Sequence, residues 1–412
     1  MNHHQEPNGA LGHLRVLDLA DEKGVYAAKL LADLGADTIK VEPPTGDSTR
    51  AFAPFVDDSP DQSKSLFFFH YNTNKRGVTL DIERPEGRRL LREMVRGADI
   101  LIESFPPGYL AERDLAYEDL ARINPRLVMV SITPFGQYGP HAHYKGADLV
   151  AWAMSGYMAI MGYEDLSLPP LHAPFLQCCH VASYYGSTAA LAAILCRETT
   201  GRGQHIDVSM QEAMATMSES PNVFYGQDDV IVSRRWGYNG NPSARRVFPT
   251  QDGYVDMSLG PFRPDHWPHL VEWLESDGMG GDLRDPTWLD RQWGMAHLDR
   301  MYGQVESWST RHTGYDLFHQ GQKHRLEAAP VNDIPAVVAD PQLNARGYFV
   351  KVPHPELDRT LTYAGAPYDL TGTPWAIHRR APLLGEHNHE IYVGELGLTH
   401  AELEEHRRND VV

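Results

Sequence analysis

The first half of the chain alternates short apolar runs with longer stretches whose apolar residues recur every three or four positions. "LRVLDLA" (14–20) reads as a buried strand, and "GVYAAKLLADLGA" as a helix that ends near Gly35. "DTIKVEPP" is a strand stopped by Pro43 and Pro44. "GVTLDI" is another strand, and "PEGRRLLREMVRGA" is a helix that begins at a proline and closes at Gly97. "DILIESF", "LAYEDLARIN" and "LVMVSITPFG" continue as strand, helix, strand. This alternation predicts βαβ units, and so an α/β fold with a parallel sheet covered by helices on both faces.

From 147 to 199 the pattern turns helical and rich in Ala, Gly and Ser. "GRGQHIDVSMQEAMATM" then adds a strand and a helix. Between 226 and 329 the texture changes to Trp, Gly, Pro and interleaved charges, as in "RRWGYNGNPSARR". The expected layout is a large domain over 1–225, a smaller inserted domain over 226–329, and a return to the large domain over 330–412.

Composition narrows the function classes. The 412 residues carry a net charge of -18, which argues against binding driven by nucleic-acid phosphates. A local group of cations can still hold an anionic ligand. The first residues are polar and lack the apolar core of a secretion signal. No run of about 18 apolar residues is present, so no membrane span is expected. Three cysteines make no disulfide framework. The expectation is a soluble protein of a reducing compartment, the cytoplasm.

"HAPFLQCCHVASYYGSTAALAAIL" (172–195) places Cys178, Cys179 and His180 just before a small-residue helix. A free cysteine is commonly a small buried hydrophobe. With a base such as His180 to lower its pKa, it is instead a nucleophile. Adjacent cysteines with no second cluster cannot easily share a tetrahedral ion, so no metal is expected.

Several stretches resemble one family: "LLADLGADTIKVEPPTGDSTR", "NTNKRGVTLDI", "LARINPRLVMVSITPFGQYGP", "GRGQHIDVSMQEA" and "APLLGEHNHEIYVGELG". They are similar to the family III CoA transferases, whose fold the α-methylacyl-CoA racemases share, and they run in order along nearly the whole chain. The resemblance implies a Rossmann-like large domain built from both chain ends, an inserted smaller α+β domain, and an interlocked dimer with the site where two chains meet. It implies acyl-CoA thioesters, hence coenzyme A, and free carboxylic acids as substrates. In such a transfer a carboxylate attacks the thioester, forms a mixed anhydride and releases the CoA thiolate. The family aspartate that does this falls here on Cys179. The racemase histidine falls on Ala147, so both bases of a two-base proton transfer are missing.

The same resemblance implies roles for other residues. Asn74, Lys75 and Arg76 match the nucleotide-end motif. Phe105, Gly108 and Arg113 match a loop beside the adenosine and pyrophosphate, although Pro106 departs from that pattern. Lys145 matches a CoA-binding lysine, and Asp148 an acid near the reaction centre. Gly260 matches a Gly-rich shielding loop, here stiffened by Pro261. Asp21 and Glu22 replace a small apolar, Gln-containing loop. Three readings stay open. The chain is the aspartate-lacking subunit beside a related aspartate-bearing partner, as for benzylsuccinate-like acids with succinyl-CoA as donor. It is a non-catalytic acyl-CoA-binding protein. Or it is a homodimeric enzyme that uses Cys179 in thioester chemistry.

Overall fold

A computed structural model describes residues 9–163, 165–234, 247–257, 259 and 265–412. The chain divides into two compact units. The larger holds residues up to 162, 170–222 and 346–412, and the smaller holds 163–169 and 223–345.

In the larger unit, β1 (Arg15–Leu19), α1 (Val25–Asp33), β2 (Asp37–Glu42), α2 (Leu66–Tyr71), β3 (Arg76–Thr79), α3 (Pro85–Val95), β4 (Ile100–Glu103), α4 (Tyr117–Ile123) and β5 (Val128–Thr133) follow one another. Then come α5 (Asp148–Met154), α6 (Gln177–Thr200), β6 (His205–Ser209) and α7 (Met210–Ala215). All six strands are parallel, in the order β3-β2-β1-β4-β5-β6. The order reverses between β1 and β4, which opens a crevice beyond the carboxyl ends of those strands.

The strands are continuous apolar runs because both sheet faces are covered. α1, α5, α6 and α7 pack on one face around Val16, Ile102, Val130 and Ile132. On the other face α3 and α4 meet Leu17, Leu101 and Met129, together with Ile391, Tyr392 and Leu403 from the far end of the chain. The 24-residue α6 is long and apolar enough by composition to cross a membrane, but half of that stretch is buried here. Its small residues allow a close approach to the sheet: a Cβ on Gly186 would lie 3.1 Å from Ile132 Cδ1. α2, which the apolar pattern had not revealed, is a single short turn capped by the Ser65 hydroxyl on the Phe68 N–H.

The smaller unit begins with α8 (Glu219–Asp228), which straddles its boundary, and β7 (Val247–Pro249) and β8 (Tyr254–Met257). Next are α9 (Trp267–Ser276), α10 (Arg291–Ala296), α11 (Leu298–Ser309), α12 (Gly314–Lys323) and β9 (Ala328–Pro330). β7, β8 and β9 form an antiparallel sheet. The tryptophans of this stretch make its core, with Trp267, Trp273, Trp288 and Trp308 all buried. α13 (Ile334–Ala339) and α14 (Pro341–Ala345) complete it. The return expected at 330 therefore falls at 346, because β9 pairs with β8 and holds the following residues to this unit.

The returning chain forms a hairpin of β10 (Phe349–His354) and β11 (Arg359–Ala364), a turn of π-helix over His389–Glu395, and α15 (His400–Arg408). It covers an edge of the parallel sheet. The Gly77 N–H donates to His387 Nδ1 at 3.0 Å, and the Thr79 N–H to Asn388 Oδ1 at 2.9 Å. An edge so paired is closed to other strands.

Candidate active site

Cys179 lies in the first turn of α6 and is 2% exposed. Its N–H donates to Asp148 Oδ1 at 3.0 Å. Asp148 is the first residue of α5, and the chain reaches it past Gly146, where a Cβ would lie 2.4 Å from Pro134. Burial first, then the charges of Asp148 and Glu22, push the Cys179 thiol well above its ordinary pKa. Burial likewise pushes Cys178 up. His180 is engaged with two tyrosines: its Nε2 shares a 2.6 Å hydrogen bond with the Tyr71 hydroxyl, and its ring packs 4.7 Å from that of Tyr26. Burial lowers the imidazole pKa, so it is neutral near pH 7. The expected activation of Cys179 by His180 is not what the structure builds. A thiolate nucleophile needs a lowered pKa, and here burial and the two carboxylates outweigh the charge of Lys23, which also acts on the thiol.

The nucleotide-end triplet is also placed differently from expectation. Lys75 is fully buried, and its ammonium bonds Asp18 at 2.7 Å, Asn72 Oδ1 at 3.0 Å and the Val25 carbonyl at 3.1 Å. Arg76 is committed to Asp37 and Glu390, each at 2.7 Å, and to Glu395. Asn74 sits at φ +63° and ties distant parts of the chain together. Its amide donates to Asp33 and to the Ala376 carbonyl, and its oxygen accepts from the His378 and Arg379 N–H groups. These three side chains hold the fold and offer no unpaired group to a phosphate. Asn74→Ala is expected to cost about 2 kcal/mol in denaturant unfolding, since it strips four partly buried or exposed hydrogen bonds at once and leaves an alanine at positive φ.

Phe105, Tyr109 and Arg113 form a ladder. The two rings stack at 4.5 Å with a 14° interplanar angle, and the Arg113 guanidinium lies 3.6 Å over the Tyr109 ring. Glu83 fastens the ladder by accepting from the Tyr109 hydroxyl and from Arg113. Phe105 and Tyr109 line a cavity of about 310 Å³ at the carboxyl ends of β1 and β2, together with Asp21, Glu42, Asp47 and Asp81. Among the described residues no lysine or arginine lines it. Lys40 and Arg50, which lie next to it, are buried in ion pairs with Asp47 and Glu42. Gly108, at φ +89°, lines a second cavity of about 190 Å³ on the far side of the same loop. Lys145 is exposed. Gly260 lies outside the described residues. Among the described residues no group of three or more metal-ligating side chains comes together.

Two features escaped the sequence. Tyr26, Tyr71, His180 and Tyr184 gather beside Cys179, with the Tyr26 and Tyr184 hydroxyls 3.2 Å apart. They come from three separate elements, and no spacing signals this. Glu103 is the other. It is an acid ending a buried apolar strand in "DILIESF", which is a readable sign of an unusual carboxyl.

The sequence profile of CoA-transferase family III matches residues 11–388. The chain is 35% identical to the succinyl-CoA:(R)-benzylsuccinate CoA-transferase subunit BbsE of Thauera aromatica, over 92% of each chain. It is 34% identical to the formyl-CoA:oxalate CoA-transferase of Streptomyces avermitilis, over 98% of this chain and 99% of that one. Among solved structures, a CAIB/BAIF family protein from Brucella suis superposes with a TM-score of 0.84 at 29% identity, covering 96% of this chain and all of that one.

Proposed function

This chain belongs to CoA-transferase family III, and on that premise we propose that it is the aspartate-lacking subunit of a transferase whose partner chain carries the reacting carboxylate. The observation that carries the reading is the state of position 179. A buried thiol pushed up in pKa stands where the acyl-accepting aspartate is expected, with the carboxylates of Asp148 and Glu22 acting on it. Such a group neither attacks a thioester readily nor forms an anhydride.

The pairing is an interlocked dimer with the related chain. Exposed apolar side chains on the outward faces of α5 and α6 support it, among them Leu149, Met154, Tyr184 and Leu195. A relative that is itself described as a subunit supports it too. The donor is succinyl-CoA and the acceptor a benzylsuccinate-like acid. The Phe105–Tyr109 platform is the surface on which the adenine end of CoA stacks, with Arg113 as the adjacent cation.

The test is co-expression with the related aspartate-bearing chain, purification through a tag on this one, and assay of CoA transfer from succinyl-CoA to a panel of carboxylic acids. Turnover by the co-purified pair, none by this chain alone, and no change in Cys179→Ser are the expected results. Turnover by this chain alone that is lost in Cys179→Ser returns the thiol to the mechanism. Acyl-CoA binding without turnover in either form leaves a binding protein instead.

A further inference from the structure

Glu103 ends β4 and is 3% exposed. Its carboxyl lines the second cavity, while the next two residues, Ser104 and Phe105, line the first. Oε2 accepts the Phe105 N–H at 2.7 Å, so the carboxyl fastens the start of the loop that carries the ring platform. In register beside it on β5 is Ser131, whose hydroxyl acts to lower the carboxyl's pKa. Ser131 Oγ also shares a 2.8 Å hydrogen bond with His205 Nε2. His205 stacks on Tyr117 and is exposed on its outer side. A nearly buried carboxyl thus borders the second cavity and lies next to a hydroxyl and an imidazole that lead to solvent.

The charged groups around Glu103 come from every neighbouring element. Asp21 and Lys23 face it from the loop after β1. Glu118 lines the second cavity at the start of α4, and Asp207 of β6 acts on His205. Lys23 is bonded to Asp21, so it is not a dedicated partner of Glu103.

We propose that Glu103 is the positioning residue for segment 104–113, which caps its carboxyl and is seated or released by a proton exchanged through Ser131 and His205. Pro106, Gly108, Leu110 and Ala111 of this segment lie over the cavity into which the carboxyl opens. Burial lifts Glu103 to about 7, Ser131 and the Phe105 N–H pull it back, Asp21 adds to the rise and Lys23 opposes it. Raising the cap wets the carboxyl and returns it toward its ordinary value near 4. The seated state therefore holds the proton more tightly. Seating is favoured below about pH 7 and weakens as pH rises through it. That the moving rings form a nucleotide platform rests on the function proposed above, but the proton-set seat does not.

Hydrogen exchange of the full chain, read by mass spectrometry from pH 5.5 to 8.5 and corrected for intrinsic exchange, tests this. Peptides covering 104–113 are expected to lose about tenfold in protection between pH 6 and 8, while α3 peptides do not follow. Glu103→Gln is expected to give a flat profile at the low-pH level. Ser131→Ala, which removes the hydroxyl that favours the ionised form, is expected to move the midpoint to higher pH. A flat profile in the unaltered chain, a rise with pH, or the same slope in Glu103→Gln overturns the proposal. None of these readouts depends on CoA transfer, so failure here and failure of the subunit reading are separate results.

Discussion

Lys75→Met is expected to lower unfolding stability by about 4 kcal/mol, the largest effect of any single substitution considered for this chain. Lys75 and Asp18 are both 0% exposed and meet at 2.7 Å. Burial pulls the Lys75 ammonium below its ordinary pKa, against the opposing attraction of Asp18. Removing the ammonium strands the Asp18 carboxylate in the sheet interior and leaves the Val25 carbonyl and Asn72 Oδ1 without their donor. Denaturant unfolding at neutral pH reads the loss directly. The double variant Lys75→Met with Asp18→Leu is expected to recover much of the loss, because a well-packed apolar pair avoids the desolvation of two ions. A single variant as stable as the unaltered chain rules out this account of the triplet "NKR".

The second large effect is at the reaction centre. Cys179→Asp puts a carboxylate at the position proposed for the reacting acid, yet it is expected to destabilise the chain by about 3 kcal/mol at pH 8 and to give no turnover without the partner. The new carboxylate is buried beside Asp148 and within the field of Glu22, two groups that already push the thiol up. Burial and like charge raise the pKa of an aspartate at that place. Between the unfolded value near 4 and its raised folded value, the native state keeps a proton that the unfolded chain has lost. Stability therefore falls as pH rises through that window, and the variant should approach the unaltered chain near pH 5. Thermal unfolding at pH 5 and pH 8 reads this directly. Equal melting temperatures at both values, or transfer activity from the variant alone, show a centre that still accepts a carboxylate.

The strand and helix order, the parallel sheet and the α/β class were all legible from local pattern. Strands buried on both faces must be apolar along their length, and their helices must carry an apolar stripe. α2 was missed because one short capped turn gives no periodicity to read. The Trp-rich texture of 226–329 marked a separate packing unit, but its end at 345 depends on β9 pairing with β8, a contact made across some seventy intervening residues.

The chemistry divides in the same way. The sequence by itself determined that position 179 is not an acid and that Cys178 and His180 flank it. Only the tertiary structure decided what those groups can do. A thiol, a lysine or a carboxyl takes its reactivity from burial and from partners far along the chain. Lys75 read as a phosphate ligand because motifs preserve residue type but not side-chain direction, and its ammonium points inward to Asp18, 57 residues away in sequence. Glu103 read as the end of a strand, and burial by elements far apart in the sequence, leaving it 3% exposed, lifts its carboxyl to about 7.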